Sequence, residues 1–320
     1  MLRRSPLFVA LLLNLFFLLL YLAFGVVRHG SLDDYFMSSV LTGAYGSKYD
    51  VHMYFINSAY GYFLKPFYLL FPKVGWYFLF ELMGTFASFT IFAYFLIYQL
   101  GFRLGSALSA LLLASFTPDF YFQLSFTQCA TIYTAAGIVL VSFANEKRRY
   151  LILGCLFLLA GSIMRWEGFL LGMPYLAIFA ALHFFFHPAK RKEILIGICL
   201  GLATIYGTHL HEKLLYSDGD YKYYAAYQPV RAYFGDGAYY DKESAFDELQ
   251  ERGMNGPDFR LLKSWMFYDT EVFCIDSLLP IIDVVNNNLY SPNPARMPVA
   301  FFMAVSRELT RSIGWCWAIF

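Results

Sequence analysis

The sequence predicts an all-α polytopic membrane protein, and three observations carry that expectation: a greasy composition, a series of apolar runs of bilayer-spanning length, and basic residues gathered in alternate connections. Of 320 residues, 59% are hydrophobic, 21% aromatic and only 15% charged, which lies outside the usual range of soluble domains. Apolar runs fall at about 7–27, 76–100, 104–120, 127–144, 150–164, 168–186 and 194–210, so about seven to eight membrane-spanning helices are expected. A net charge of +1 offers no basic field to nucleic acid. Cys129, Cys155, Cys199 and Cys316 lie in apolar runs and Cys274 in a polar one, with neither a disulfide framework nor a zinc spacing.

The first run is too long for the core of a signal peptide and no small-residue cleavage site follows it, so it reads as a retained span. If the spans alternate, Arg3, Arg4, Arg103, the segment NEKRRY (145–150) and the segment HPAKRKE (187–193) share one side. By the positive-inside rule that side is the cytoplasm, which makes the N-terminus cytoplasmic. The opposite face then receives a loop at 28–75, the turn MRWEG (164–168) and a polar section at 211–296.

Within the loop, Leu32, Phe36, Val40 and Leu41 recur at roughly helical spacing, which predicts a short interfacial helix. A second interfacial piece, HMYFINSAYGYFLKPFYLLFP (52–72), is dense in Tyr and Phe and interrupted at Gly61 and Pro66; aromatic rings of this density suit headgroup level. A transmembrane module at 1–210 is therefore followed by a small extracytoplasmic domain at 211–296. Turn signals at Asp218-Gly219, Gly235 to Gly237 and Asn255 to Pro257 punctuate that domain, with a helix expected around 242–252. At 297–320, Arg307, Glu308 and Arg311 interrupt an apolar segment. The next span would begin near Ser312 and stop well short of the roughly 20 residues a crossing needs, so the chain is expected to be truncated relative to its natural gene product.

The chemistry-bearing residues gather on the expected outer face. Asp33 and Asp34 directly follow the first span. Carboxylates beside hydrocarbon are costly, so the pair invites a functional reading. One would serve as general base toward an acceptor hydroxyl while its neighbour tunes it or holds a divalent cation. Asp33 is the expected base and Asp34 the tuning or metal-binding neighbour, since adjacent helical residues point about 100° apart. The same SLDDY stretch also matches a plain helix N-terminus, with Ser31 or Asp33 as cap and acidic residues at the positive end of the dipole. In YDVHMYFIN, Asp50 and His52 could orient a phosphate or ligate a metal; magnesium or manganese, with Asp34 and His52 among the ligands, is the expected cofactor. In SIMRWEGF, Arg165 would sit about 22 Å up its span, below the outer surface with Glu167, where its planar fork suits a phosphate; a snorkelling Arg165 paired with Glu167 is the plainer alternative. Glu81, about one turn into the second span, could line the same cavity. No P-loop, dinucleotide fingerprint, nucleophile elbow or HExxH motif is present.

An N-terminal span, an acidic pair at the head of the next loop, two interfacial pieces in that loop and many short-looped spans together resemble the GT-C superfamily of integral membrane glycosyltransferases. The segment DDYFMSSVLTGAYGSKYDVHMYFINSAYGYFLKPFYLLFP (33–72) is similar to the first loop of bacterial members of that group. The resemblance implies transfer of a sugar from a polyprenyl-phosphate carrier to an envelope glycan or lipid acceptor, on the outer face of a bacterial cytoplasmic membrane. It implies that a first-loop carboxylate, here Asp33 or Asp34, is base or metal ligand, and that basic groups of other loops steady the leaving phosphate. Arg165 takes that part by position. Two other classes fit the same sequence: a transporter or flippase of lipid-linked sugar, which would favour charges near the midplane and inverted repeats, and a non-catalytic scaffold for polysaccharide assembly.

Overall fold

A computed structural model describes residues 5–44, 49–217, 219–237, 242–267 and 269–287. The expectations for 297–320, including a span near Ser312, lie outside the described residues. The chain divides into two compact units, one running to Glu212 and the other starting at Lys213.

The first unit is helical almost throughout: α1 (Pro6–Phe24), α2 (Leu32–Leu41), α3 (Ser58–Leu70), α4 (Trp76–Leu100), α5 (Phe102–Phe122), α6 (Phe126–Ser142), α7 (Arg148–Met164), α8 (Trp166–Phe186) and α9 (Arg191–Leu215), the last running just past the boundary. Each apolar run of the sequence forms one of these helices. Four of them, α1, α4, α8 and α9, are long and apolar enough to cross a membrane. α6 is apolar but has only 17 residues. α5 carries Arg103, Ser109, Thr117 and Asp119, and α7 opens on two arginines.

α6 is enclosed by α4, α7 and α8. Its approach to α7 depends on small residues: a Cβ on Gly137 would meet the Gly154 carbonyl oxygen at 2.9 Å, and one on Gly161 would collide with Thr134. Such small-residue seams are how helices without a hydrophobic driving force between them gain packing energy. Nearby, Asn14 of α1 donates to the Phe86 carbonyl at 2.8 Å and to Thr90 Oγ1 at 2.9 Å, and accepts from the Tyr121 hydroxyl at 2.8 Å. This fully buried amide thereby joins α1, α4 and α5.

The loop helices form for local reasons. Ser31 caps α2 by accepting from the Asp34 N–H, and Asn57 caps α3 by accepting from the Ala59 N–H. The expected interruption of the second piece does not occur: α3 runs through both Gly61 and Pro66. Gly61 is fully covered because a Cβ there would meet the Val51 backbone at 2.9 Å, whereas Pro66 lies on the exposed side. Packing against α4 and α7 outweighs the proline. Two short strands escaped the sequence reading: β1 (Arg28–His29) pairs in parallel with β2 (Gln123–Leu124) and stitches the head of the loop to the α5–α6 connection.

The bundle has two chemically different ends. One gathers β1, α2, α3, the start of α4, the α5–α6 and α7–α8 connections and the end of α9. At the other, Tyr94 and Tyr150 share a hydrogen bond of 2.7 Å, Asn145 and Lys190 bind across the connections, and Arg148 pairs with Glu193 at 3.6 Å.

The second unit contains α10 (Gly219–Ala232), a π-helical turn (Tyr233–Gly237), α11 (Lys242–Glu251), α12 (Gly256–Lys263) and α13 (Ile275–Asn287). It has its own core of Phe234, Leu249, Met254, Leu262, Phe273, Leu278, Ile281 and Val284. The guanidinium of Arg231 lies 5.5–5.8 Å from the rings of Tyr224, Tyr227, Trp265 and Phe267, so several of the late aromatics serve packing.

Candidate functional site

Two polar constellations occupy the end of the bundle where the loop helices lie. The first is sealed. Asp34, at the third position of α2, is fully buried. Its Oδ1 accepts from the Tyr77 hydroxyl at 3.0 Å and from the Phe126 N–H at 2.9 Å, and its Oδ2 accepts from the Ser31 hydroxyl at 2.5 Å. The Phe126 N–H belongs to the first turn of α6, where no intrahelical partner exists, so Asp34 caps that helix from a distance of 92 residues in sequence. Glu81, one turn after Tyr77 on α4, is also fully buried, and His29 Nδ1 lies 3.9 Å from its Oε2. Burial, which favours the neutral ring, holds the His29 imidazole below its ordinary range against the opposing pull of the Asp34 charge.

Asp33 stands apart from this cluster, exposed on α2. The expected divergence of adjacent helical residues is therefore present, with Asp34 inward and Asp33 outward. Asp50 and His52 come together on their own loop: Asp50 Oδ1 accepts from the His52 N–H at 3.0 Å and lies 2.6 Å from its Nδ1. Among the described residues, Asp34 shares its site with His29 and Glu81, while His52 pairs with Asp50 on the loop and its charge also acts on Glu212.

The second constellation is open. Arg165 is the single extended residue joining α7 to α8. Its guanidinium lies over the Phe126 ring at 5.2 Å, donates to Thr127 Oγ1 at 3.0 Å and pairs with Glu167 at 3.4 Å. A pocket of about 310 Å³ brings Arg165 and Glu167 together with Asn57, Trp166, His209 and Glu212. The loop wall is fixed by the Asn57 N–H, which donates to the Ile163 carbonyl at 2.9 Å. Glu212, near the end of α9, accepts from the Ser58 N–H at 2.8 Å and from the Ser58 hydroxyl, which adds a carboxylate to the N-terminus of α3. The His209 ring packs at a tilt against Trp166, with centroids 4.3 Å apart.

An apolar groove of about 460 Å³ runs beside this pocket, lined by Tyr60, Phe63, Phe80, Met83, Phe157 and Ile163 among others. Ile163 lines both cavities, so the groove and the polar pocket adjoin across that residue. Met83 and Phe63, on the groove wall, are exposed on the outside of the bundle. The arrangement can hold an apolar chain beside a polar head, with one guanidinium for an anion and two carboxylates for hydroxyl groups.

Glu212 and His209 were missed in the sequence, although THLHEK at the end of the last span carries the signal: polar residues recur there where a span should simply end. His29 had no signal of its own, because its place depends on the β1–β2 pairing. No protein-family model, no curated protein and no solved structure matches the chain.

Proposed function

We propose that this chain is a GT-C-type membrane glycosyltransferase that moves a sugar from a polyprenyl-phosphate carrier to a hydroxyl-bearing envelope glycan or lipid. The observation that supports it is the junction at Ile163 between an apolar groove and a pocket holding Arg165, Glu167 and Glu212. An isoprenoid chain in the groove would bring its phosphate to the pocket without leaving the lipid phase, so the reacting groups meet at fixed geometry with limited water.

In this reading the pocket end faces the outside of a bacterial cytoplasmic membrane, because the basic connections lie at the other end. α5, α6 and α7 complete the crossing together with the four longer helices. Glu212 takes the proton of the acceptor hydroxyl. The acceptor oxygen then attacks the anomeric carbon, and the bond from that carbon to the phosphate oxygen breaks with its electron pair leaving on the phosphate. Arg165 steadies the charge that develops there. A single displacement of this kind inverts the anomeric centre. Asp34, buried and held by three donors, fixes the loop, and the proton is assigned to Glu212 rather than Asp33 because Glu212 lines the pocket.

The test is transfer by the purified protein in nanodiscs, using a panel of polyprenyl-phosphate sugars and reading both carrier release and the new glycosidic bond. Glu212→Gln is expected to lower kcat by about 10²–10⁴-fold and Arg165→Ala by about 10²–10³-fold, with Asp33→Asn close to the parent. Full transfer by the first two variants would overturn the site. Loss with Asp33→Asn alone would move the base to α2. Transbilayer movement of labelled carrier with no new bond would favour the transporter.

A further inference from the structure

The sealed cluster is not used by the proposed transfer, yet its electrostatics are incomplete. One ligand atom each from His29, Asp34 and Glu81 lie within 4.8 Å of one another. Both Glu81 oxygens are sealed from solvent and accept no hydrogen bond of ordinary length and angle, and His29 Nδ1 is in the same position. Tyr77 and Asp34 both interact with Glu81, but the Tyr77 hydroxyl proton goes to Asp34, and two carboxylates this close need a proton or a cation between them. A buried carboxylate short of well-formed donor bonds is expensive, and such groups are paired, protonated or bound to a cation.

The mounts are rigid and come from three segments. β1–β2 pairing fixes His29, whose ring also meets Phe78 edge to face with centroids 5.1 Å apart. A Cβ on the next residue, Gly30, would lie 2.7 Å from the Gln123 carbonyl oxygen, so the chain is pressed against the α5–α6 connection. Asp34 is held by its three donors, yet a carboxylate has about four lone-pair sites, which leaves capacity for a metal. Around a tetrahedral ion with ligands about 2.1 Å away, neighbouring ligand atoms lie about 3.4 Å apart. The cluster needs only a modest contraction to reach that.

We propose that His29, Asp34 and Glu81 bind a divalent transition ion, zinc by the one-imidazole, two-carboxylate donor set, which clamps the first loop helix α2 to α4. None of the three residues lines the Arg165 pocket, and their ligand atoms are sealed from solvent, so the ion is structural and holds the loop that carries the pocket wall. This inference does not depend on the proposed transfer.

The test is metal content and thermal unfolding of the full chain in detergent, purified without chelator. Stoichiometric zinc is expected, together with a drop in unfolding midpoint on chelation that zinc chloride alone restores. Glu81→Gln and His29→Gln should each weaken zinc binding by at least the roughly 10–100-fold that loss of an outer-shell partner costs, while Glu212→Gln should keep the metal. Zinc retained by both cluster variants would overturn the site. So would wild-type protein that is metal-free as purified and shows no midpoint shift with zinc, an outcome that points to a proton shared between Asp34 and Glu81. Because the wild-type measurements decide on their own, a variant that fails to fold leaves the proposal falsifiable.

Discussion

The sealed cluster around Asp34 and the open pocket around Arg165 lie at the same end of the bundle and use the same residue types, yet their donors and acceptors are arranged in opposite ways. Asp34 has three hydrogen bonds and no exposed surface, so its charge is spent on architecture: it ties α2, α4 and the first turn of α6 together. Glu212 has one oxygen held by Ser58 while the residue remains part of a pocket wall. Orientation by a fixed partner with an accessible remainder is what proton transfer requires. A carboxylate near a membrane is thus a candidate for proton transfer only when part of it stays accessible from a pocket.

The sharpest way to break this contrast is at the neighbouring aspartates. Asp34→Ala strands the Tyr77 and Ser31 hydroxyls and the Phe126 N–H, and should destabilise the protein by about 3–5 kcal/mol. Asp33→Asn, on the exposed side, should stay within about 0.5 kcal/mol. Unfolding in detergent, followed by size-exclusion profile against temperature, checks both; equal effects would dissolve the distinction between sealed and open carboxylates.

A smaller effect tests the open side. Ser58→Ala removes the hydroxyl donor to Glu212 but keeps the backbone N–H. It should cost about 1 kcal/mol of stability and lower transfer less than Glu212→Gln does. A variant as impaired as Glu212→Gln would show that Ser58 takes part directly.

The gentlest comparison is between cysteines. Cys129 is fully buried, whereas Cys274 lies near the start of α13 in the second unit, 3.1 Å from the Ser277 hydroxyl. That hydroxyl and the backbone N–H groups of Ser277 and Asp276 hold the Cys274 thiol below its ordinary range. More of it is thiolate near neutral pH, so iodoacetamide should modify Cys274 before the buried Cys129, and Ser277→Ala should slow that reaction a few-fold. Labelling of Cys129 in the folded protein at a similar rate would contradict its burial.

Much of the fold was legible because its signals are local. Apolar runs name the long helices, Ser31 is one of two candidate caps for α2, and the clustering of Arg and Lys in alternate connections separates the two ends. Half of the site was legible in the same way: Arg165 and Glu167 betray themselves by lying where a span should be apolar, and Glu81 by lying inside one. The partnerships were not legible. Nothing local ties Asp34 to Phe126, Ser58 to Glu212 or His29 to Glu81, since each contact spans tens of residues or more.

By itself, then, the sequence determined the long apolar helices and the acidic, aromatic character of the loop at 28–75, because propensity and periodicity act over a few residues. Only the tertiary structure decided which of Asp33 and Asp34 is enclosed, that α3 survives Pro66, and that Glu212 joins Arg165. Those outcomes depend on which surfaces meet. A turn of 100° between adjacent residues separates a carboxylate that holds the loop from one that faces water, and only packing against Tyr77 and the end of α6 chooses between them.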